Sequence, residues 1–331
     1  METINIKTRS SSYPVYIGNG LLESIKDILD TNRPSVIISD DGIPKQYIDL
    51  VSDQYDKCLK ISFPQGEKSK SLRQYERLVG FLSSNHVSRD WTIVAVGGGV
   101  TGDLAGFVAS TYLRGIDLVH IPTTLLAQID SSVGGKVAVN TDRAKNVIGS
   151  FYPPKAVIID PLTLSTLPQR QFANGIGEMV KYGMIADKQL FDLLREPIYP
   201  ESIEPLVVRS VNIKKHFVES DEFDKGIRQA LNFGHTFGHA IEAYYNYEKY
   251  LHGEAVSIGM MRILSDPIIK NELESVLKTH NLPIGDPVPN EQLWEYVRRD
   301  KKILGARLTY VTVENIGSYV LKSAQSKEDL S

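Results

Sequence analysis

In the first half of the chain, short β-branched runs are separated by stretches with a helical repeat. The runs are Ser35–Ser39, Thr92–Val96, Leu118–Pro122 and Ala156–Asp160. Between them, Ser71–Leu82 and Asp103–Tyr112 carry apolar residues at helical spacing. Strands alternating with helices predict a largely parallel sheet with right-handed crossovers.

After Pro161 the pattern changes to long segments of 3.6-residue period: Gln171–Ile185, Ile203–Asp221, Ile227–Tyr245 and Ala255–Leu264. Strand-like runs are few until Arg307–Val313. The expected architecture is an α/β N-terminal domain with a Rossmann-like parallel sheet over residues 1–165, then a mainly α-helical domain over 166–331. The active site is expected in the cleft between them. No internal repeat is evident.

Composition narrows this little. The 331 residues are 42% hydrophobic and 23% charged, with a net charge of −3. That is an ordinary globular balance, with no bulk attraction to nucleic acid or membrane. The first residues lack the basic and apolar regions of a signal peptide, and no apolar run reaches the length of a membrane span. A cytoplasmic location is expected. Cys58 is the only cysteine, which excludes an internal disulfide framework and any multi-cysteine metal site. Its place in a strand-like run suggests a buried structural thiol. A metal must therefore be held by His and carboxylate side chains.

Three polar loops follow predicted strands. Gly97-Gly98-Gly99-Val100-Thr101-Gly102-Asp103 joins a buried run to a helix start, so the backbone can approach a ligand and leave helix N–H groups free for an anion. A tight strand-to-helix turn would need the same glycines. Gln65-Gly66-Glu67-Lys68-Ser69-Lys70 and Pro122-Thr123-Thr124 follow two other runs. Loops at neighbouring strand ends line the edge where open α/β sheets bind ligands, and a dinucleotide is the natural occupant.

Lys136 follows Gly134-Gly135, and Lys145 precedes Asn146. Both lysines suit phosphate or carboxylate groups. Val133, Val137, Val139, Val147 and Ile148 surround them, which argues for a partly buried loop over two solvated lysines.

Arg228, Asn232, His235 and His239 are spaced i, i+4, i+7 and i+11, one stripe of a continuous helix. His235 and His239 can reach one metal, or be structural. Glu178 in Gly-Glu-Met-Val-Lys181 and His252 in His-Gly-Glu-Ala supply further donors. Catalytic zinc commonly takes two His and one carboxylate, a set met by Glu178 with two of His235, His239 and His252. Lys181, Lys214, Arg228 and Asn232 would make the pocket basic, so a small, oxygen-rich anion is the expected substrate.

The runs GGGVTGDLAGFVAS, PTTLLAQIDSSVGGKVAVN, KN at 145–146, GEMVKYG, LNFGHTFGHAIE and LHGEA resemble the 3-dehydroquinate synthases. They stand in that family's order over nearly the whole chain. The resemblance implies an NAD- and zinc-dependent cyclase of the shikimate pathway. Such an enzyme converts 3-deoxy-D-arabino-heptulosonate 7-phosphate to 3-dehydroquinate and phosphate.

By the same resemblance, Glu178, His235 and His252 bind the zinc, although a His/carboxylate site also suits cobalt or iron. Asp130, Lys136, Lys145, Asn146, Lys181, Lys214, Arg228, Asn232 and His239 serve the substrate and the reacting centre. NAD is contacted by Asp40, Glu67, Lys70, Gly98, Gly99, Val100, Asp103, Thr123, Thr124, Asp130, Ser131, Lys136, Lys145 and Thr166. Arg114 reaches the phosphate held by a neighbouring subunit, which implies a homodimer. Lys302 matches a substrate lysine near the C-terminus.

The chain departs from the family pattern at Ala144, at Asp41 and in a short segment after Arg262. Two other enzyme readings compete: another sugar-phosphate cyclase such as 2-deoxy-scyllo-inosose synthase, and a metal-dependent polyol or glycerol-phosphate dehydrogenase. A non-catalytic nucleotide-binding protein is a further alternative, disfavoured by the intact metal and lysine positions.

Overall fold

The computed structural model describes residues 1–142, 144–304 and 308–324, without the side chains of residues 299–304, 308 and 324. The chain forms two compact units. One comprises Met1–Leu167 and Pro200–Phe223; the other comprises Pro168–Tyr199 and Asp224–Ser331.

The first unit is built on β1 (Glu2–Lys7), β2 (Ser12–Ile17), β3 (Ser35–Asp40), α1 (Lys45–Ser52), β4 (Cys58–Phe63), α2 (Leu72–Ser84), β5 (Thr92–Gly97), α3 (Gly99–Thr111), β6 (Asp117–Pro122), β7 (Lys136–Val139), β8 (Ile148–Phe151) and β9 (Ala156–Ile159). Seven strands form one sheet in the order β1-β2-β9-β6-β5-β3-β4. Only β1 pairs antiparallel in it; the other neighbours run parallel.

Every residue of β3, β5 and β9 is buried. Successive side chains feed opposite cores. Ile93 and Ala95 pack with Leu78, Leu82 and Leu104, while Val94 and Val96 pack with Tyr47 and Val51 on the other face. This is why apolar residues dominate these runs of the sequence. The β1–β2 hairpin goes beyond the strands expected from the sequence; β1 alternates, with Ile4 and Ile6 inward and its other residues exposed. Cys58 is only half-buried, because β4 is the edge strand.

The expected second domain was contiguous from residue 166. Instead, Pro200–Phe223 returns to the first unit through α6 (Glu204–Ser220). Glu219 accepts a hydrogen bond from the Lys7 backbone at 2.7 Å, and Lys214 pairs with Asp130. Helical periodicity carries no information about which sheet a helix will cover.

The second unit holds α4 (Gln169–Ala186), α5 (Lys188–Leu193), α7 (His235–Tyr244), α8 (His252–Ile263), α9 (Pro267–Thr279), α10 (Asn290–Leu304) and the hairpin of β10 (Leu308–Asn315) with β11 (Ser318–Ala324). Arg307, the expected start of the late strand, lies outside the described residues.

The expected continuous helix Ile227–Tyr245 is broken. Ile227–Asn232 forms a tight 3-10 turn, Gly234 takes φ +79°, and α7 begins at His235. At Gly234 a Cβ would lie 2.7 Å from the Val256 carbonyl oxygen, and at Gly259 one would lie 1.9 Å from the Gly234 carbonyl oxygen. These glycines let the backbone before α7 approach α8. Arg228 and Asn232 therefore do not share one helical stripe with His235 and His239. Among the described residues, no helix is long and apolar enough to cross a membrane.

Candidate functional site

In the first unit, the parallel strands β4, β3, β5, β6 and β9 end on the same edge of the sheet. The order of connection reverses between β3 and β5, and ligands of open α/β sheets bind at the strand ends beside such a reversal. The turn after β5 is Gly97–Gly99, and Gly97 takes φ +158°. A Cβ on Gly98 would lie 3.0 Å from the Thr124 side chain, and one on Gly99 would lie 3.2 Å from Ser131 Oγ. Bare backbone thus opens the N-terminus of α3, whose Gly98 cap supplies no side-chain hydrogen bond. Thr123 Oγ1 is buried there and has no hydrogen-bond partner. Free helix amides, a glycine cradle and an orphaned hydroxyl fit a phosphate-bearing nucleotide.

Around this edge the polar side chains support one another. Thr101 Oγ1 donates to Asp40 Oδ2 at 2.9 Å, so Asp40 also braces the turn. Lys70 bonds both Asp103 and Asn146. Burial raises the Asp103 carboxyl, and Lys70 opposes that shift. Glu67 accepts from Asn140 at 2.7 Å and lies 3.7 Å from Lys145 Nζ. Thr166 Oγ1 is 3.1 Å from the Tyr47 hydroxyl. Val100 lies in the first turn of α3.

Asp130 sits in a π-helical turn, Ala127–Ser131, a geometry frequent at functional sites. Its Oδ1 is 2.5 Å from Lys214 Nζ, and Lys214 is buried. Lys136 is exposed at the start of β7. Asn146 takes φ +57° in the loop before β8, where Val147 is 59% exposed and not buried as the sequence suggested. Arg114 is exposed with φ +67°.

In the second unit, α4 carries Glu178 and Lys181 one turn apart, both buried. Lys181 Nζ pairs with Glu178 Oε2. The other oxygen, Oε1, is buried without a hydrogen-bond partner. His235 Nε2 and His252 Nε2 each lie 3.6 Å from it. That separation is too long for a hydrogen bond and fits three donors facing one ion.

The outer ring nitrogens are engaged elsewhere. His235 Nδ1 is 3.1 Å from the Phe233 carbonyl oxygen, and His252 Nδ1 is 3.4 Å from Glu242 Oε2. If each outer nitrogen carries the proton, each Nε2 presents a lone pair inward. Burial first, then the Lys181 cation and the His252 and His239 rings, hold His235 well below the usual imidazole range. A neutral imidazole is the form that binds a metal.

His239, Glu242 and His252 form a second cluster of close donor atoms. The Glu178 cluster is the better metal site, because its inward oxygen is buried and orphaned while Glu242 faces the outer nitrogen of His252. Glu242 was missed by the sequence reading; its i+7 spacing from His235 was the available signal. Arg228 is buried before α7, and Asn232 and His239 are exposed. The Lys302 side chain lies outside the described residues.

Residues 60–174 match the model of the 3-dehydroquinate synthase N-terminal region, and residues 175–303 match that of the 3-dehydroquinate synthase C-terminal region. The chain is 41% identical to the 3-dehydroquinate synthase of Clostridium botulinum, with 98% of each chain covered. It is 40% identical to that of Dictyoglomus thermophilum, covering 100% of this chain and 97% of the other. Among solved structures it resembles a 2-deoxy-scyllo-inosose synthase complexed with carbaglucose-6-phosphate, NAD+ and Co2+. The TM-score is 0.88 at 26% identity, covering 98% of this chain and 96% of that one. The chain belongs to the 3-dehydroquinate synthase family.

Proposed function

We propose that this protein converts 3-deoxy-D-arabino-heptulosonate 7-phosphate to 3-dehydroquinate and inorganic phosphate, with NAD and a divalent metal, zinc or cobalt, as cofactors. The observation that carries the metal assignment is the orphaned Glu178 Oε1 facing the Nε2 atoms of His235 and His252. Glu178, His235 and His252 would hold the ion. NAD would lie against Gly98, Gly99, Val100, Thr123, Thr124 and Ser131, with Asp40, Glu67, Lys70, Asp103, Asp130, Lys136, Lys145 and Thr166 around it.

When bound, NAD would supply reversible hydride acceptance at the substrate's C5 carbinol, with no net oxidation. Zinc, when bound, would supply a Lewis acid for the substrate's hydroxyl oxygens. The remaining work falls to the chain's own side chains. Lys136, Lys145, Asn146, Lys214, Arg228 and Asn232 bind the phosphate, carboxylate and hydroxyl groups. Lys181, fixed by Glu178 Oε2, presents a cation beside the metal ligands. Asp130 and His239 hold or move protons at the reacting centre, with Lys214 setting the position of the Asp130 carboxylate. Lys302 contributes a further substrate cation. Arg114 would serve the site of a neighbouring subunit in a homodimer, and a cytoplasmic location belongs to the same reading.

The test is to incubate the purified protein with the heptulosonate phosphate, zinc and substoichiometric NAD, and to follow free phosphate. Continuous phosphate release without accumulation of NADH is expected. Turnover of glucose 6-phosphate instead would assign the chain to another cyclase. Stoichiometric NADH would assign it to a dehydrogenase.

A further inference from the structure

Arg170, Asn174 and Glu178 are spaced four residues apart on α4, so they lie on one face, one turn after another. All three meet the first turn of α8. Arg170 grips Glu254 with a two-pronged pair, Nε to Oε1 and Nη2 to Oε2, each 2.7 Å. Glu254 Oε2 in turn accepts from the Leu251 backbone amide at 2.8 Å. Asn174 Oδ1 accepts from the Gly253 amide at 2.6 Å. Glu178 Oε1 then faces His252 Nε2. His252 is thus flanked by two pinned amides, Leu251 through Glu254 and Gly253 through Asn174.

The first-turn amides of a helix have no partner within it. Here one of them is satisfied from the helix that bears the facing carboxylate. Backbone packing enforces the same register. A Cβ on Gly253 would lie 2.0 Å from the Asn174 carbonyl oxygen, and one on Gly177 would lie 2.7 Å from the Gly253 carbonyl oxygen. Asn174 is buried, so its carboxamide has little freedom to rotate away.

We propose that Asn174, backed by the Arg170–Glu254 fork, is a positioning residue of the metal centre: it sets the height of His252 on α8 so that its Nε2 meets Glu178. This rests on the metal-site reading given above. A metal ligand misplaced by a fraction of an ångström costs affinity directly, whereas a general packing contact would change stability without changing the ion's coordination.

The experiment compares the full-length parent with Asn174→Ala, Arg170→Gln, Ser257→Ala and His252→Ala. Zinc affinity is read by competition with a chromophoric chelator, the visible spectrum of the cobalt-loaded protein reports coordination, and thermal melts of the metal-free proteins report stability. Ser257 is the control, because its hydroxyl hydrogen bond, to the Gly253 carbonyl oxygen at 2.7 Å, stays within α8. Asn174→Ala is expected to weaken zinc binding about 10- to 100-fold and to change the cobalt spectrum. Arg170→Gln should move both readouts in the same direction by less, and Ser257→Ala should leave them at parent values.

Parent-like affinity and spectrum in Asn174→Ala, with affinity lost in His252→Ala, overturns the positioning role and leaves the metal site standing. Parent-like affinity in His252→Ala overturns the metal site and this role with it. If Asn174→Ala does not fold, Arg170→Gln decides, because its arm is 59% exposed: weakened zinc binding supports the role and parent affinity overturns it.

Discussion

Glu242 Oε2 lies 3.4 Å from His252 Nδ1, on the opposite side of the ring from Glu178. A carboxylate there fixes the ring's tautomer and orientation and makes the inward nitrogen a better donor. Glu242→Gln is therefore expected to lower zinc affinity about 10- to 100-fold, measured by chelator competition. Parent affinity in the variant would remove Glu242 from the metal centre.

The choice between His235 and His239 gives a second prediction. The His239 ring is exposed and tilted against His252, 5.9 Å between centroids, whereas His235 faces the buried carboxylate. Glu178→Gln, His235→Ala and His252→Ala should each retain far less zinc after dialysis than His239→Ala does. Equal loss in all four variants, read by metal analysis, would refute the ligand set.

Lys214 and Asp130 form an ion pair with the lysine side chain only 9% exposed. Removing the cation should free the Asp130 carboxylate from its position and take one charge from the substrate site. Lys214→Met is expected to lower kcat/KM for phosphate release about 10²- to 10³-fold, the usual scale for one lost electrostatic group. A variant within a factor of about three of the parent would show that the pair is only structural.

Acid stability should depend on His120. The ring is buried within β6, and burial pushes its pKa down from 6.5 to about 4. Between those values the unfolded chain binds a proton that the folded chain refuses. Stability is therefore fully present above about pH 6.5 and declines as pH falls toward 4, by on the order of 3 kcal/mol. Urea melts at pH 7 and pH 4.5 check this. His120→Leu should lose much less stability over that interval than the parent; an unchanged acid limb would point to other groups.

Two glycines should respond oppositely to a methyl group. Gly259→Ala places a Cβ 1.9 Å from the Gly234 carbonyl oxygen, forcing α8 from the turn that precedes His235. A loss of at least about 2 kcal/mol is expected. Gly80, inside α2, has nothing within 4 Å of the place a Cβ would take. Gly80→Ala should stabilise by about 0.5–1 kcal/mol, because alanine loses less backbone entropy on forming a helix. Thermal melts of both variants decide the matter.

Local chemistry alone determined much of this protein. Strands covered on both faces are dominated by apolar residues, so β3, β5, β6 and β9 were legible as runs, and α4 and α6 as periodic stretches. The glycine turn after β5 was legible because a run of glycines marks a backbone that other groups approach closely. The donor types Glu178, His235, His239 and His252 were visible too, and motif order carried the family. Tertiary structure decided the rest. Gly234 breaks the helix before His235 because the α8 backbone comes too close for a side chain, a fact of packing that spacing on one helix does not contain. Spacing left His235, His239 and His252 as alternatives; only the approach of α4, α7 and α8 puts two of those rings opposite Glu178 and sets Glu242 and Asn174 behind one of them. Helix α6 covers the first unit although its neighbours in sequence belong to the second. Such contacts join residues far apart in the chain, and their energies depend on which faces meet, whereas periodicity records only that a face exists.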